Sequence, residues 1–133
     1  MKQDKINLAI CLRLRANSRM SWQKIGKEVH LTGQAVAARV LQMQDDGIIS
    51  QFTIRQDHLL KYFITIFMKD ASFDSFERFL KEDACVESAY KVAGEGCYQV
   101  VYLADAPAGL ETFLNQVLAY GTYKVQSVIR AIK

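Results

Sequence analysis

Ser21-Trp22-Gln23-Lys24-Ile25-Gly26-Lys27-Glu28-Val29-His30-Leu31-Thr32-Gly33-Gln34-Ala35-Val36-Ala37-Ala38-Arg39-Val40-Leu41-Gln42-Met43 decides the reading of the amino-terminal half. Ser21 is a good helix N-cap, and Trp22, Ile25 and Val29 recur behind it at helical spacing. Thr32 caps a second helix, with apolar Val36, Ala37, Val40 and Met43, and Asp45-Asp46-Gly47 ends it. Only a few residues around His30-Leu31 separate the two. So short a turn between short helices forces a steep crossing, the helix-turn-helix arrangement. Upstream, Asp4 caps another helix carrying Ile6, Ala9, Ile10, Cys11 and Leu14, which Ala16-Asn17-Ser18 breaks. Downstream, Ile48–Ile54 looks like a strand and would make the motif winged.

Beyond this stretch the period changes. Tyr62–Lys69 is a strand candidate, and Phe73–Glu82 is an amphipathic helix with Phe73, Phe76, Phe79 and Leu80 on one side. Val86–Ala93 and Tyr98–Ala104 are strands joined by the hairpin signal Gly94-Glu95-Gly96. Ala108–Tyr120 is helical through Leu110, Phe113, Leu114, Val117 and Leu118, and Tyr123–Ile132 closes as a strand. The order βαββαβ is that of a ferredoxin-like sandwich, so the fold class is α+β. Such a sandwich covers one sheet face with helices. Here both faces carry apolar residues: Tyr98, Val100 and Tyr102 oppose Val101 and Leu103. In the last strand Tyr123, Val125, Ile129 and Ala131 oppose Val128 and Ile132. An uncovered face of that kind predicts a second copy against it, a homodimer.

Charge separates the halves in the same way. Residues 1–55 hold nine Lys/Arg against four Asp/Glu, and residues 56–133 hold eight against ten. A basic segment on a mildly acidic body suggests a polyanionic partner, and a two-fold dimer suits palindromic double-stranded DNA. With 133 residues, 50% hydrophobic and 23% charged, the chain has the balance of a globular protein. Its longest apolar run, Tyr62–Met68, is too short to cross a bilayer, so no membrane partner is expected. Met1-Lys2-Gln3-Asp4-Lys5 carries no leader pattern, and the expected location is the cytoplasm. Cys11, Cys85 and Cys97 fit neither a disulfide framework nor a metal-ligand spacing, so no metal or cofactor is expected. No Ser/His/Asp, Cys/His or paired-carboxylate set falls in one place, and His58 sits in a linker. The reading is not an enzyme.

Several pieces taken in order resemble the feast/famine, or Lrp/AsnC, family of transcriptional regulators. Asp4-Lys5-Ile6 looks like the family's opening helix, with Asn7 where an aspartate is frequent. Arg19-Met20-Ser21 is similar to its "R-I-S" entry, and Ile25…Val29-His30-Leu31-Thr32 to its "L…V-G-L-S". Arg39-Val40…Met43…Gly47-Ile48-Ile49 looks like "R-V…L…G-x-I", and Val92-Ala93-Gly94-Glu95-Gly96-Cys97-Tyr98 occupies the place of the "G-D-x-D-Y" turn. The resemblance implies a helix-turn-helix DNA-binding domain over 1–50, a linker strand over 51–59, and a ferredoxin-like effector-sensing and oligomerisation domain over 60–133. It also implies dimers that assemble into octamers or other multiples, with small amino acids bound in clefts between dimers.

The expected DNA-binding residues are Ser21, Lys24, Thr32, Gln34, Ala35, Arg39 and Gln42. Gln34 lies at the N-terminal end of the third helix, where an amide can pair bidentately with adenine. Arg39, the only cation from Thr32 to Gln44, is expected on phosphate; Ala38 replaces the other half of the family's arginine pair. His30 replaces a turn glycine, and histidine tolerates a positive φ better than a β-branched residue does. Trp22, a lone aromatic, reads as packing rather than as a base-stacking platform. Carried over by position, the effector-binding residues are Gly94, Glu95, Gly96, Cys97, Val125 and Ser127. Cys97 stands where the family's second aspartate is common, and Val125 where a hydroxyl is. These departures predict weak binding of free amino acids, because an ammonium buried without a counter-charge is costly. The main reading is a sequence-specific DNA-binding transcriptional regulator that responds to an amino-acid-like effector. The alternative is a ligand-sensing and assembly module with weakened DNA binding.

Overall fold

The computed structural model describes residues 4–133, so Met1, Lys2 and Gln3 of the stretch inspected for a leader lie outside the described residues. The chain divides into two compact units, with the division between Arg55 and Gln56.

The described residues of the first unit form three helices: α1 (Lys5–Ala16), α2 (Trp22–Val29) and α3 (Gly33–Asp45). Each begins on the side chain expected to cap it. Asp4 Oδ1 accepts from the Asn7 N–H at 2.7 Å, Ser21 Oγ from Lys24 at 3.1 Å, and Thr32 Oγ1 from Ala35 at 3.1 Å. Buried Ile10, Leu14, Ile25, Val29, Val36, Val40 and Met43 form the core. The turn between α2 and α3 is tight because His30 takes a left-handed conformation (φ 61°, ψ 43°), while the Leu31 N–H donates to the Gly26 carbonyl at 2.9 Å. Gly26 makes this possible. A Cβ there would stand 2.3 Å from the Leu31 carbonyl oxygen, so only glycine lets the turn fold back onto α2.

No wing follows. Ile48–Ile54, expected as a strand, has no ladder partner among the described residues and is not a strand. Its first residues finish α3 instead. Gly47, at φ 76°, donates to Gln44 at 3.1 Å, and the Ile48 N–H donates to Met43 at 2.8 Å, a Schellman closure. Ile48 and Ile49 then pack on the helical core, which satisfies the β-branched residues that suggested a strand.

The second unit is β1 (Leu60–Met68), α4 (Phe73–Glu82), β2 (Val86–Lys91), β3 (Tyr98–Ala104), α5 (Pro107–Val117) and β4 (Gly121–Ser127). Its sheet is antiparallel in the order β2-β3-β1-β4, the ferredoxin-like topology. Tyr62, Ile64, Ile66, Tyr98, Val100 and Tyr102 face α4 and α5 and bury Phe76, Leu80, Phe113 and Val117. At the start of β4, Gly121 lets β1 approach closely, since a Cβ there would overlap the Phe67 carbonyl oxygen.

The last strand differs from the expected Tyr123–Ile132. It starts two residues earlier and stops at Ser127, because Ser127 pairs with Tyr62 near the beginning of β1. One further bond, Val128 N–H to the Lys61 carbonyl at 2.9 Å, ends the pairing. Ile129 and Ile132 are therefore not sheet residues; they are 97% and 82% exposed.

Candidate nucleic-acid interface and effector turn

Two capped helix starts stand side by side in the first unit. Gly33, the first residue of α3, lies against Gln23 of α2, and a Cβ on it would meet Gln23 Cγ at 3.2 Å. Trp22, Gln23, Thr32, Gly33, Gln34 and Ala37 line a cleft of about 480 Å³ at this point. The Ser21 and Thr32 hydroxyls accept cap bonds, which leaves each O–H able to donate outward. Lys24 and Lys27 are exposed on α2. The outer face of α3 follows the helical period as Gln34, Ala38 and Leu41, and Leu41 is 61% exposed.

Ala35 is half-buried with its N–H in the Thr32 cap, so it supports the helix start. Gln42 lies further along, where its Nε2 donates to Asp46 Oδ1 at 2.9 Å. Arg39 turns away from the outer face. Its Nη1 donates to Asp4 Oδ2 at 2.8 Å and to Asn7 Oδ1 at 3.2 Å, tying α3 to the start of α1. The bond from the Asn7 N–H, and then Arg39, hold the Asp4 carboxyl below the usual carboxylate range. Asn7 thus has its own task as a second acceptor for Arg39.

Trp22 and Leu41 are the residues that sequence reasoning missed. Trp22 follows the helical period of Ile25 and Val29 and was expected to pack, yet it is 37% exposed on the cleft. The signal was available: as the first residue after the Ser21 cap, it precedes the first full turn that could bury it.

In the second unit, Gly94-Glu95-Gly96-Cys97 closes the β2–β3 hairpin over the end of β1. The Cys97 N–H donates to the Ile66 carbonyl at 2.7 Å, and the Val92 N–H to the Cys97 carbonyl at 3.0 Å. Gly96, at φ 78°, sits so close to β1 that a Cβ would stand 2.6 Å from Thr65 Cγ2. Gly94, also at positive φ, faces open space. Glu95 Oε1 accepts from Lys124 Nζ at 2.8 Å, which lowers its carboxyl pKa. Tyr98 anchors the turn from below: its ring is buried and its hydroxyl donates to Glu77 Oε2 at 2.6 Å.

The structure does not gather the six effector candidates into one cleft of a single chain. Side chains alternate along β4. Lys124, and with it Glu95, lies on the helix-free face, whereas half-buried Val125 packs toward the helices. Ser127 pairs with Tyr62, four residues from Ile66 along β1, or about 13 Å at strand rise. Positional resemblance ignored the alternation of faces. Among the described residues no group of three or more His, Cys, Asp or Glu is placed to hold a metal ion.

Comparison with known proteins agrees with both units. Residues 4–44 match the AsnC-type helix-turn-helix domain, and residues 61–133 match the Lrp/AsnC ligand binding domain. The chain is 32% identical over 138 residues to the HTH-type transcriptional regulator LrpB of Bacillus subtilis, covering 100% of this chain and 93% of that one. It is 33% identical over 132 residues to LrpA of the same organism, covering 95% and 97%. Among solved structures, B. subtilis LrpC superposes with a TM-score of 0.84 at 27% identity, covering 100% of this chain and 99% of the other.

Proposed function

This chain belongs to the Lrp/AsnC family of transcriptional regulators, and from that premise we propose that it binds double-stranded DNA through residues 1–50 and senses a small effector through residues 60–133. It is a transcriptional regulator and not an enzyme. The observation that carries the DNA-binding assignment is the pair of capped helices, α2 and α3, joined by a left-handed His30 turn with the N-terminal end of α3 uncovered. Thr32, Ser21 and Lys24 meet phosphate, and Gln34 meets a base edge. The chain works beside DNA in the cytoplasm, and no helix among its described residues is long and apolar enough to cross a membrane.

Assembly rests on the helix-free face of the sheet. Phe63 and Phe67 of β1, Val101 and Leu103 of β3 and Tyr90 of β2 lie there, with Phe63 38% and Tyr90 60% exposed. Thr122, Lys124 and Gln126 make the β4 border polar, so the apolar patch is narrower than the sequence suggested. A second copy covers this patch, and multiples of that dimer bring turns 94–97 of neighbouring chains together. The effector site then draws Gly94, Glu95, Gly96 and Cys97 from one chain and Ser127 from another, which accounts for their separation within one chain. Glu95 is already paired with Lys124, so a ligand ammonium has to compete with that lysine. Free amino acids are therefore weak ligands.

The deciding experiment is a salt-dependent mobility shift with the purified chain on genomic fragments from its source. Discrete retarded bands with a steep salt dependence support the reading. No retardation at low salt refutes it.

A further inference from the structure

The outer face of α3 presents bases with an unusual set of groups. The helix's one cation, Arg39, turns away from this face to Asp4 and Asn7, so α3 turns no guanidinium toward guanine O6 and N7. In its place are the Gln34 amide, the methyls of Ala37 and Ala38, and the Leu41 side chain, which recur within two turns of one helix face. Beside them, across the cleft of about 480 Å³, stands the indole of Trp22. Trp22 in the cleft and the exposed Leu41 two turns further along that face supply apolar surface on either side of Ala37 and Ala38, and the amide on this face of α3 is Gln34, with Gln23 of α2 across the cleft. In the major groove only thymine offers a methyl group, and its partner adenine offers the N6 and N7 pair that an amide matches.

We propose that this cleft and the outer face of α3 beyond it read T·A pairs, in which Gln34 takes the adenine edge while Trp22 and Ala37 in the cleft, and Leu41 further along the helix, contact thymine 5-methyl groups. The proposal rests on the DNA-binding reading above and deepens it: specificity comes from methyl contact and the Gln34 amide, with no arginine–guanine contact from α3. Cations on α2, Lys24 and Lys27, supply the sequence-independent attraction. The overall positive charge of residues 1–55 and the exposed position of these apolar side chains beside two helix starts favour duplex DNA as the occupant over another protein.

The test uses the full-length chain and duplexes that it selects from a randomised 30-base-pair pool. In a selected duplex, each thymine is replaced singly by deoxyuridine, which deletes the 5-methyl and keeps the base pairing. Affinity is read by the anisotropy of labelled DNA. At one or two thymines per half-site the wild-type chain is expected to lose about threefold to tenfold in affinity. Leu41→Ala, at an exposed position that leaves the core intact, should bring the penalty at one of those thymines below about twofold. Trp22 is the only tryptophan in the chain, so its emission reports on the cleft alone; bound DNA should shield it from acrylamide. Equal affinity for every deoxyuridine duplex together with an unshielded Trp22 overturns the proposal and leaves DNA binding standing. Guanine-rich selected sites whose affinity is insensitive to Gln34→Ala overturn it as well. A pool that yields no bound duplex at low salt overturns the DNA-binding reading and this one with it.

Discussion

At the scale of single residues, the structure reassigns the one arginine of the recognition helix. Arg39 was expected on phosphate; it binds Asp4 and Asn7 and joins two helices. Arg39→Ala should therefore lower the melting temperature and leave the slope of affinity against salt unchanged, which a melt and a salt titration check. Because the Asp4 pKa is depressed in the fold, the stabilisation from its cap and ion pair is complete above the ordinary carboxylate pKa of about 3.9 and is lost as pH falls through the lowered value. The stability difference between the wild-type chain and Asp4→Asn should accordingly shrink toward strongly acid pH, as melts across that range would reveal. Thr32→Ala removes a cap and should cost about 1 kcal/mol in denaturant unfolding. Gly26→Ala is more severe. A methyl cannot share space with the Leu31 carbonyl, and overpacking of this kind costs about 1–3 kcal/mol or more.

Elements were legible where local chemistry and period agreed. The starts of α1, α2 and α3 follow from Asp4, Ser21 and Thr32, and α4 spans the expected Phe73–Glu82. Helix ends and caps are set by residues within a few positions, so a single sequence carries them. Strand ends are set by distant partners. That is why β-branched residues 48–54 suggested a wing that does not form, and why β4 stops where β1 supplies no further pairing. The hairpin β2–β3 is held by buried side chains at its base. Burial first, and then Asp83 and Cys85 nearby, push the Tyr102 hydroxyl up to about 12, and burial with Glu77 also raises Tyr98. Both should stay protonated through the range in which exposed tyrosines ionise, an expectation that ultraviolet titration of the six tyrosines tests. The sign is that of a raised acid: this contribution to stability is full below pH 10 and is lost as pH rises through the elevated values.

At the scale of the whole molecule, the helix-free sheet face predicts the assembly. Val101→Lys places a charge in the middle of that face, where Val101 pairs with Phe63 on one side and Ser88 on the other, and light scattering should then report a smaller particle than the proposed dimer or its multiples. A wild-type chain that scatters as a monomer at micromolar concentration contradicts the proposed interface. The sequence by itself determined the two halves, the three helices of the first with their caps, and the βαββαβ succession of the second, because period, cap chemistry and turn residues act over a few positions along the chain. Only the tertiary structure decided where Arg39 points, that Trp22 stands exposed in one cleft with Gln34, that Leu41 is left uncovered further along α3, and that Val125 turns inward while Glu95 reaches Lys124 on the opposite face. Those outcomes depend on which distant groups come within bonding reach and on which sheet face remains uncovered, and spacing along a chain does not encode either.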